Sequence, residues 1–150
     1  MTILSENRRA RFDYEILETF EAGIELKGFE VKAAKSGRAG LAGSFVRGEN
    51  DELLLVGADI PPYQANNTPK EYDQKRDRKL LMKTKEIKYL MEKIGSERLT
   101  MVPIKMYNKR GLVKLEIALA RPKKKSDKRE SIKKRDTRRQ IDRTLKTNRK

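Results

Sequence analysis

The feature that most limits what this chain can fold into is a C-terminal stretch with almost nothing to bury. Residues 121–150 hold 15 of the 37 Lys+Arg and 4 of the 22 Asp+Glu, a net charge of +11 out of +15 for the whole chain. They contain no aromatic residue and no glycine, and their sizeable apolar side chains are Ile132, Ile141 and Leu145. So little apolar surface cannot offset the entropy of ordering, and the segment is expected to stay disordered until it meets a polyanion. Two units follow: a nearly balanced folding domain over residues 1–120 and a basic tail over 121–150. A domain of that size buries roughly two thirds of its extended surface and needs no covalent staples.

Composition also removes chemistry. The sequence has no cysteine and no histidine. Disulfides, thiol nucleophiles, the commonest metal ligand and the commonest general base near neutral pH are therefore absent. No cofactor or metal is expected, and a cysteine-free chain fits a reducing cytoplasm. The opening residues, Met1 to Arg9, show no apolar run, so no secretory signal is expected. A strongly basic chain implies an acidic partner, nucleic acid or anionic membrane. A membrane-surface helix needs one apolar face, yet at 100° per residue Ile132 falls about opposite Ile141. Nucleic acid is the better fit.

Along the first 120 residues the dominant signal is alternation. Phe12, Tyr14 and Ile16 alternate with Asp13 and Glu15, and the pattern resumes from Thr19 to Lys27. Residues 30–36 read as a short helix stopped by Gly37. Ser44 to Val56 reads as a hairpin turning at Gly48–Asp51. Ala58 to Arg78 is irregular, with Pro61, Pro62 and Pro69, and a loop this long in a small domain is functional or mobile. Leu80, Leu81, Ile87, Leu90, Met91 and Ile94 follow helical spacing up to Gly95. Leu99–Tyr107 and Leu112–Ala120 form a hairpin around Asn108–Gly111, with Val113, Leu115, Ile117 and Leu119 on one face. About six strands with two or three short helices point to a mainly β fold, a small OB-like antiparallel barrel.

Several stretches, in order, resemble the SsrA-binding protein family (SmpB, small protein B), the bacterial partners of transfer-messenger RNA in ribosome rescue. They are Asn7–Arg11, Tyr14 with Phe20–Gly23, Gly28–Lys32, Ser44–Val46, Arg78–Leu81, Leu99–Pro103, the strand around Lys114, and Asp127–Arg129. Each is weak alone; the ordered set is specific. The resemblance implies a barrel that binds the tRNA-like domain of transfer-messenger RNA. It also implies a tail that folds as a helix on the ribosome, in the empty messenger channel and small-subunit decoding site. The aminoacylated RNA would arrive with a GTP-bound elongation factor, and the chain would act as a monomer, without membrane and without a reaction of its own.

On the same basis Asn7, Arg8, Arg11, Tyr14, Glu21, Arg78, Lys79, Leu81 and Lys114 are RNA-contact candidates. Exposed loops of folded RNA offer base edges and faces, and their reader needs cations, acceptors and apolar surface. A carboxylate such as Glu21 repels phosphate and is useful only toward a base edge; taken alone it reads as an ordinary surface glutamate. Tyr14 fits a core aromatic equally well, Leu81 fits core filler, and Lys114 fits a solvated strand lysine. Arg78 and Lys79 could neutralise phosphates.

In the tail, Asp127 could cap a helix with Glu130 at its third position. Glu130–Lys134 and Asp142–Lys146 are favourable i,i+4 pairs of roughly 0.2–0.5 kcal/mol each. Lys128, Arg129, Lys133, Lys134, Arg138 and Arg139 are candidates for ribosomal RNA phosphates, with Ile141 and Leu145 making one small apolar contact. The alternative reading is a structural ribosomal protein whose tail threads rRNA. A Mg²⁺-dependent nuclease is disfavoured, because no Asp/Glu cluster exceeds what alternation explains.

Overall fold

The computed structural model describes residues 1–123 apart from Ala65 and Asn67, so the tail candidates from Asp127 to Leu145 lie outside the described residues. The elements are β1 (Thr2–Glu6), α1 (Ala10–Asp13), β2 (Tyr14–Ile24), α2 (Gly28–Lys35), β3 (Phe45–Glu49), β4 (Glu52–Val56), β5 (Arg78–Leu81), α3 (Thr84–Glu97), β6 (Thr100–Lys109) and β7 (Leu112–Pro122). Antiparallel pairing runs β2–β7–β6–β3–β4–β5 and back to β2, closing a ring, and β1 adds to the free stretch of the β6 edge. The expected mainly β, OB-like barrel is what forms, with seven strands against about six read from the sequence and three helices against two or three.

Alternating side chains fill the barrel. Leu53 and Leu55 of β4, Leu80 of β5, and Leu115, Ile117 and Leu119 of β7 are all buried in one cluster with Ala22 and Ile24 of β2. Ala33 and Ala34 of α2 and Leu90 of α3 join it. A second, smaller cluster lies outside the barrel wall, where Ala10 of α1 covers Val102, Ile104, Ala118 and Ala120, with Tyr14 and Ile16 packed beside them. Two bulges make this possible. The register shifts between Ile16 and Glu18 against β7, and between Pro103 and Lys105 of β6. An extra residue exchanges the faces of a strand, so apolar residues line the inside of one half and the outside of the other.

Several local expectations are corrected. Phe12 and Asp13 belong to α1, not to a strand: Asp13 N–H bonds Arg9 O and Ala10 N–H bonds Asn7 O, closing one helical turn. Leu80 and Leu81 belong to β5, because Arg78 and Leu80 face inward while Lys79 and Leu81 face out. Helix α3 runs through Gly95 to Glu97 and stops at Arg98, which takes φ 52°. The β3–β4 turn is the pair Asn50–Asp51, both at positive φ as a tight hairpin turn of this type requires. Gly48 is inside β3 for a different reason: a Cβ there would lie 2.2 Å from Met91 Sδ of α3. Strand β7 pairs through Arg121 and Pro122, two residues past Ala120, and Lys123 N–H bonds Asp13 O.

The long irregular segment between β4 and β5 is tied down by a buried ionic group. Glu30 of α2 and Arg78 of β5 are both 0 % exposed. Arg78 Nε bonds Glu30 Oε2 at 2.8 Å, and its other four N–H groups go to Ala58 O, Arg76 O, Tyr72 Oη and Gln74 O. All five guanidinium donors are thus used inside the protein. Glu30 also accepts from Arg76 and from Lys27 N–H, and Tyr72 Oη lies 2.8 Å from it. Burial alone would raise the Glu30 carboxyl, but the bonds from Arg76, Lys27 N–H, Arg78 and Tyr72 outweigh it and hold the group at about 2. Burial and the Glu30 bond push the Tyr72 hydroxyl up to about 12. Arg78 is therefore a correction: expected at an RNA phosphate, it is instead an internal strut whose partners lie 20 to 48 residues away or within its own loop.

Candidate nucleic-acid interface

The outward faces of four neighbouring strands build one surface. Leu81 of β5 stands opposite Gly23 of β2, Gly23 is also opposite Lys114 of β7, and Lys114 is opposite Tyr107 of β6. One step along, Glu21 is opposite Glu116, and Glu116 is opposite Lys105. Leu81 is 51 % exposed and faces outward, so it is not core filler. Gly23 makes room for it: a Cβ at that position would lie 3.2 Å from Leu81 Cβ. Lys79, outward on the same strand as Leu81, forms an exposed ion pair with Glu52 at 3.2 Å.

At the centre of this surface Glu21 accepts from the Tyr107 hydroxyl at 2.6 Å and from Lys109 Nζ at 3.1 Å, both on Oε2. These bonds, Tyr107 first and Lys109 second, hold its carboxyl below the usual glutamate range. Tyr107 is raised in turn by its burial and by the Glu21 bond. Beside this pair Lys105 meets Glu116 at 3.3 Å. The surface thus alternates carboxylates with lysines across three strands, offering acceptors and cations within one patch.

The patch continues into a cleft of about 290 Å³ lined by Glu6, Asn7, Arg8, Arg11, Ile104, Lys105 and Glu116. Asn7 shapes it, since its Nδ2 bonds Pro103 O at 2.9 Å and its backbone N–H bonds Ile104 O. Arg8 projects freely apart from a 3.6 Å pairing with Glu6, and Arg11 is exposed. Tyr14 stands apart from this cleft. It packs on the outer apolar cluster and lines a neighbouring cleft of about 360 Å³ with Arg9, Phe45 and Val102. The structure therefore unites Glu21, Leu81 and Lys114 with Asn7, Arg8 and Arg11, sets Lys79 beside them, and separates Arg78 from them.

The SmpB family model, described as SmpB protein, matches residues 4–147. The chain belongs to the SmpB family. Among its relatives, the SsrA-binding protein of Pelotomaculum thermopropionicum is 51% identical over 144 residues, covering 96% of this chain and 94% of the relative. That of Thermosipho africanus is 49% identical, covering 99% and 100%. A solved chain from the study "tmRNA-SmpB: a journey to the center of the bacterial ribosome" superposes with a TM-score of 0.65 at 45% identity, over 85% of this chain and 92% of that one.

Within this SmpB-family barrel, sequence reasoning missed Lys105, Tyr107 and Lys109. Their spacing of two along β6 was a usable signal. It was masked because β6 is mostly buried, and the bulge beside Pro103 exchanges its faces midway. Glu116 reads correctly as outward by alternation, but nothing in the sequence shows that it stands opposite Glu21. Among the described residues no group of His, Cys, Asp and Glu could hold a metal ion, and no helix is long and apolar enough to cross a membrane.

Proposed function

We propose that this chain binds the tRNA-like domain of transfer-messenger RNA on the β5–β2–β7–β6 face and delivers that RNA to stalled ribosomes in the cytoplasm. The observation that carries the reading is the convergence of Glu21, Leu81 and Lys114 on one exposed patch. They come from three separate stretches of sequence, and each was assigned to RNA on family resemblance. The patch has the composition that recognition of unstacked RNA loops demands: cations for phosphates, a carboxylate for a base edge, and an exposed leucine. The chain acts as a monomeric adaptor and the reading assigns it no reaction.

In the same reading the tail of residues 121–150, of which Arg121 and Pro122 still pair in β7, leaves the barrel at the end of that strand remote from Glu21 and enters the empty messenger channel and decoding site. Asp127 caps a helix there, and Lys128, Arg129, Lys133, Lys134, Arg138 and Arg139 meet rRNA phosphates. The elongation factor is reached only through the RNA.

The deciding experiment recovers the protein from cells and sequences its RNA. Enrichment of transfer-messenger RNA over its cellular abundance is expected; ribosomal RNA alone would overturn the adaptor reading in favour of a structural ribosomal protein. A companion test ends the chain at Lys123. This form should bind the tRNA-like domain yet fail to tag nascent chains on stalled ribosomes, and normal tagging would sink the tail's role.

A further inference from the structure

A surface glutamate that must read a base has two difficulties: it can swing toward neighbouring lysines, and it loses side-chain freedom when it binds. The barrel addresses both at Glu21. Tyr107 is 4 % exposed, so its ring is fixed in the wall and its hydroxyl is a donor of set position. That hydroxyl and Lys109 both bond Oε2, and no described residue hydrogen-bonds Oε1. The charged groups facing Glu21 are Lys109 from β6 and Lys114 and Glu116 from β7, while β5 brings the apolar Leu81 opposite Gly23. Glu116, the like charge directly across, has its own cation in Lys105 at 3.3 Å.

We propose that Tyr107, assisted by Lys109, is a positioning residue for RNA recognition: by engaging Oε2 it fixes the Glu21 carboxylate with Oε1 as the acceptor for the amino or imino edge of one unstacked base. This rests on the proposed function and deepens it, naming the residue that makes an exposed carboxylate selective. Tyr107 acts through Glu21 and does not itself touch RNA.

The test uses the full chain and a transcript of the tRNA-like domain of transfer-messenger RNA. Glu21→Gln and Tyr107→Phe should each weaken binding, the latter by about 10- to 150-fold, the scale of one hydrogen bond to a charged group. The double variant should bind no more weakly than Glu21→Gln alone. Two-dimensional NMR of the free protein should show the Glu21 carboxyl titrating at higher pH in Tyr107→Phe, and also in Lys109→Gln, whose exposed site leaves folding unaffected. Full affinity of Tyr107→Phe beside an impaired Glu21→Gln overturns positioning and leaves base reading intact. Additive losses overturn it as well, since Tyr107 would then contact RNA independently. Unchanged Glu21 titration in both variants overturns the hold itself. Normal binding by Glu21→Gln removes the base-reading role on which the proposal stands. Failure of the unaltered chain to bind the transcript overturns the proposed function, a separate result visible before any variant is made.

Discussion

Arg78 and Leu81 sit three residues apart and have opposite fates. The guanidinium is enclosed with Glu30, Tyr72 and Gln74, and the leucine faces solvent. Each yields a prediction. Glu30 titrates at about 2 in the folded chain against 4.5 as an ordinary glutamate. A carboxyl lowered by folding contributes stability that is complete above its unfolded value and is lost as pH falls toward its folded value. Urea unfolding between pH 5 and about pH 2 should therefore show a loss of stability, and Glu30→Gln should be less stable at neutral pH but flatter over that window. Removing the buried guanidinium, as in Arg78→Met, leaves Glu30 with Arg76, Lys27 N–H and Tyr72 but strips the buried Ala58 O and Gln74 O of their donor, and should cost about 3–5 kcal/mol. Leu81→Ala should change stability by only about 0.5 kcal/mol, as expected of an exposed site. It should still weaken binding of the tRNA-like domain by about tenfold, near the value of one buried leucine contact. A melt and a filter-binding titration on the same sample separate the two effects.

At the scale of elements, the informative contacts are those between a helix and the wall it covers. Helix α3 lies close enough to β3 that Met91 Sδ occupies the space of a Gly48 side chain. Gly48→Ala, measured by chemical denaturation, should destabilise by no more than about 1 kcal/mol, because the atoms it meets are the flexible end of Met91, which can swing aside. Adding Met91→Ala should recover part of that loss, and strictly additive losses would show that the close approach is not the cause. Sequence reasoning recognised α2, the β3–β4 hairpin and the β6–β7 hairpin, because alternation and turn residues are local. It misplaced Leu80 and Leu81 into a helix, since two apolar residues beside a helical stretch satisfy a 3.6-residue period as readily as a strand end. What settles them is pairing to Leu53, Ile24 and Gly23, which no local window contains.

For the whole molecule, among the described residues, the buried members of both apolar clusters lie between Ala10 and Ala120, with Leu4 packed against the larger one. A chain ending at Lys123 should therefore unfold in one cooperative calorimetric transition with a midpoint within about 4–8 °C of the full chain, a shift worth roughly 1 kcal/mol. A larger fall would mean that the remaining residues support the barrel.

The sequence by itself determined where charge and apolar surface lie: a concentrated cationic stretch at 121–150, alternating strands before it, and the side-chain types suited to RNA. Those properties are additive along the chain and need no neighbours. Only the tertiary structure decided which residues share a face, because one bulge or a one-residue slip turns a strand's side chains to the other side. That is why Lys105, Tyr107 and Glu116 came to Glu21 unannounced. It is also why Arg78, 48 residues from Glu30, became part of the interior.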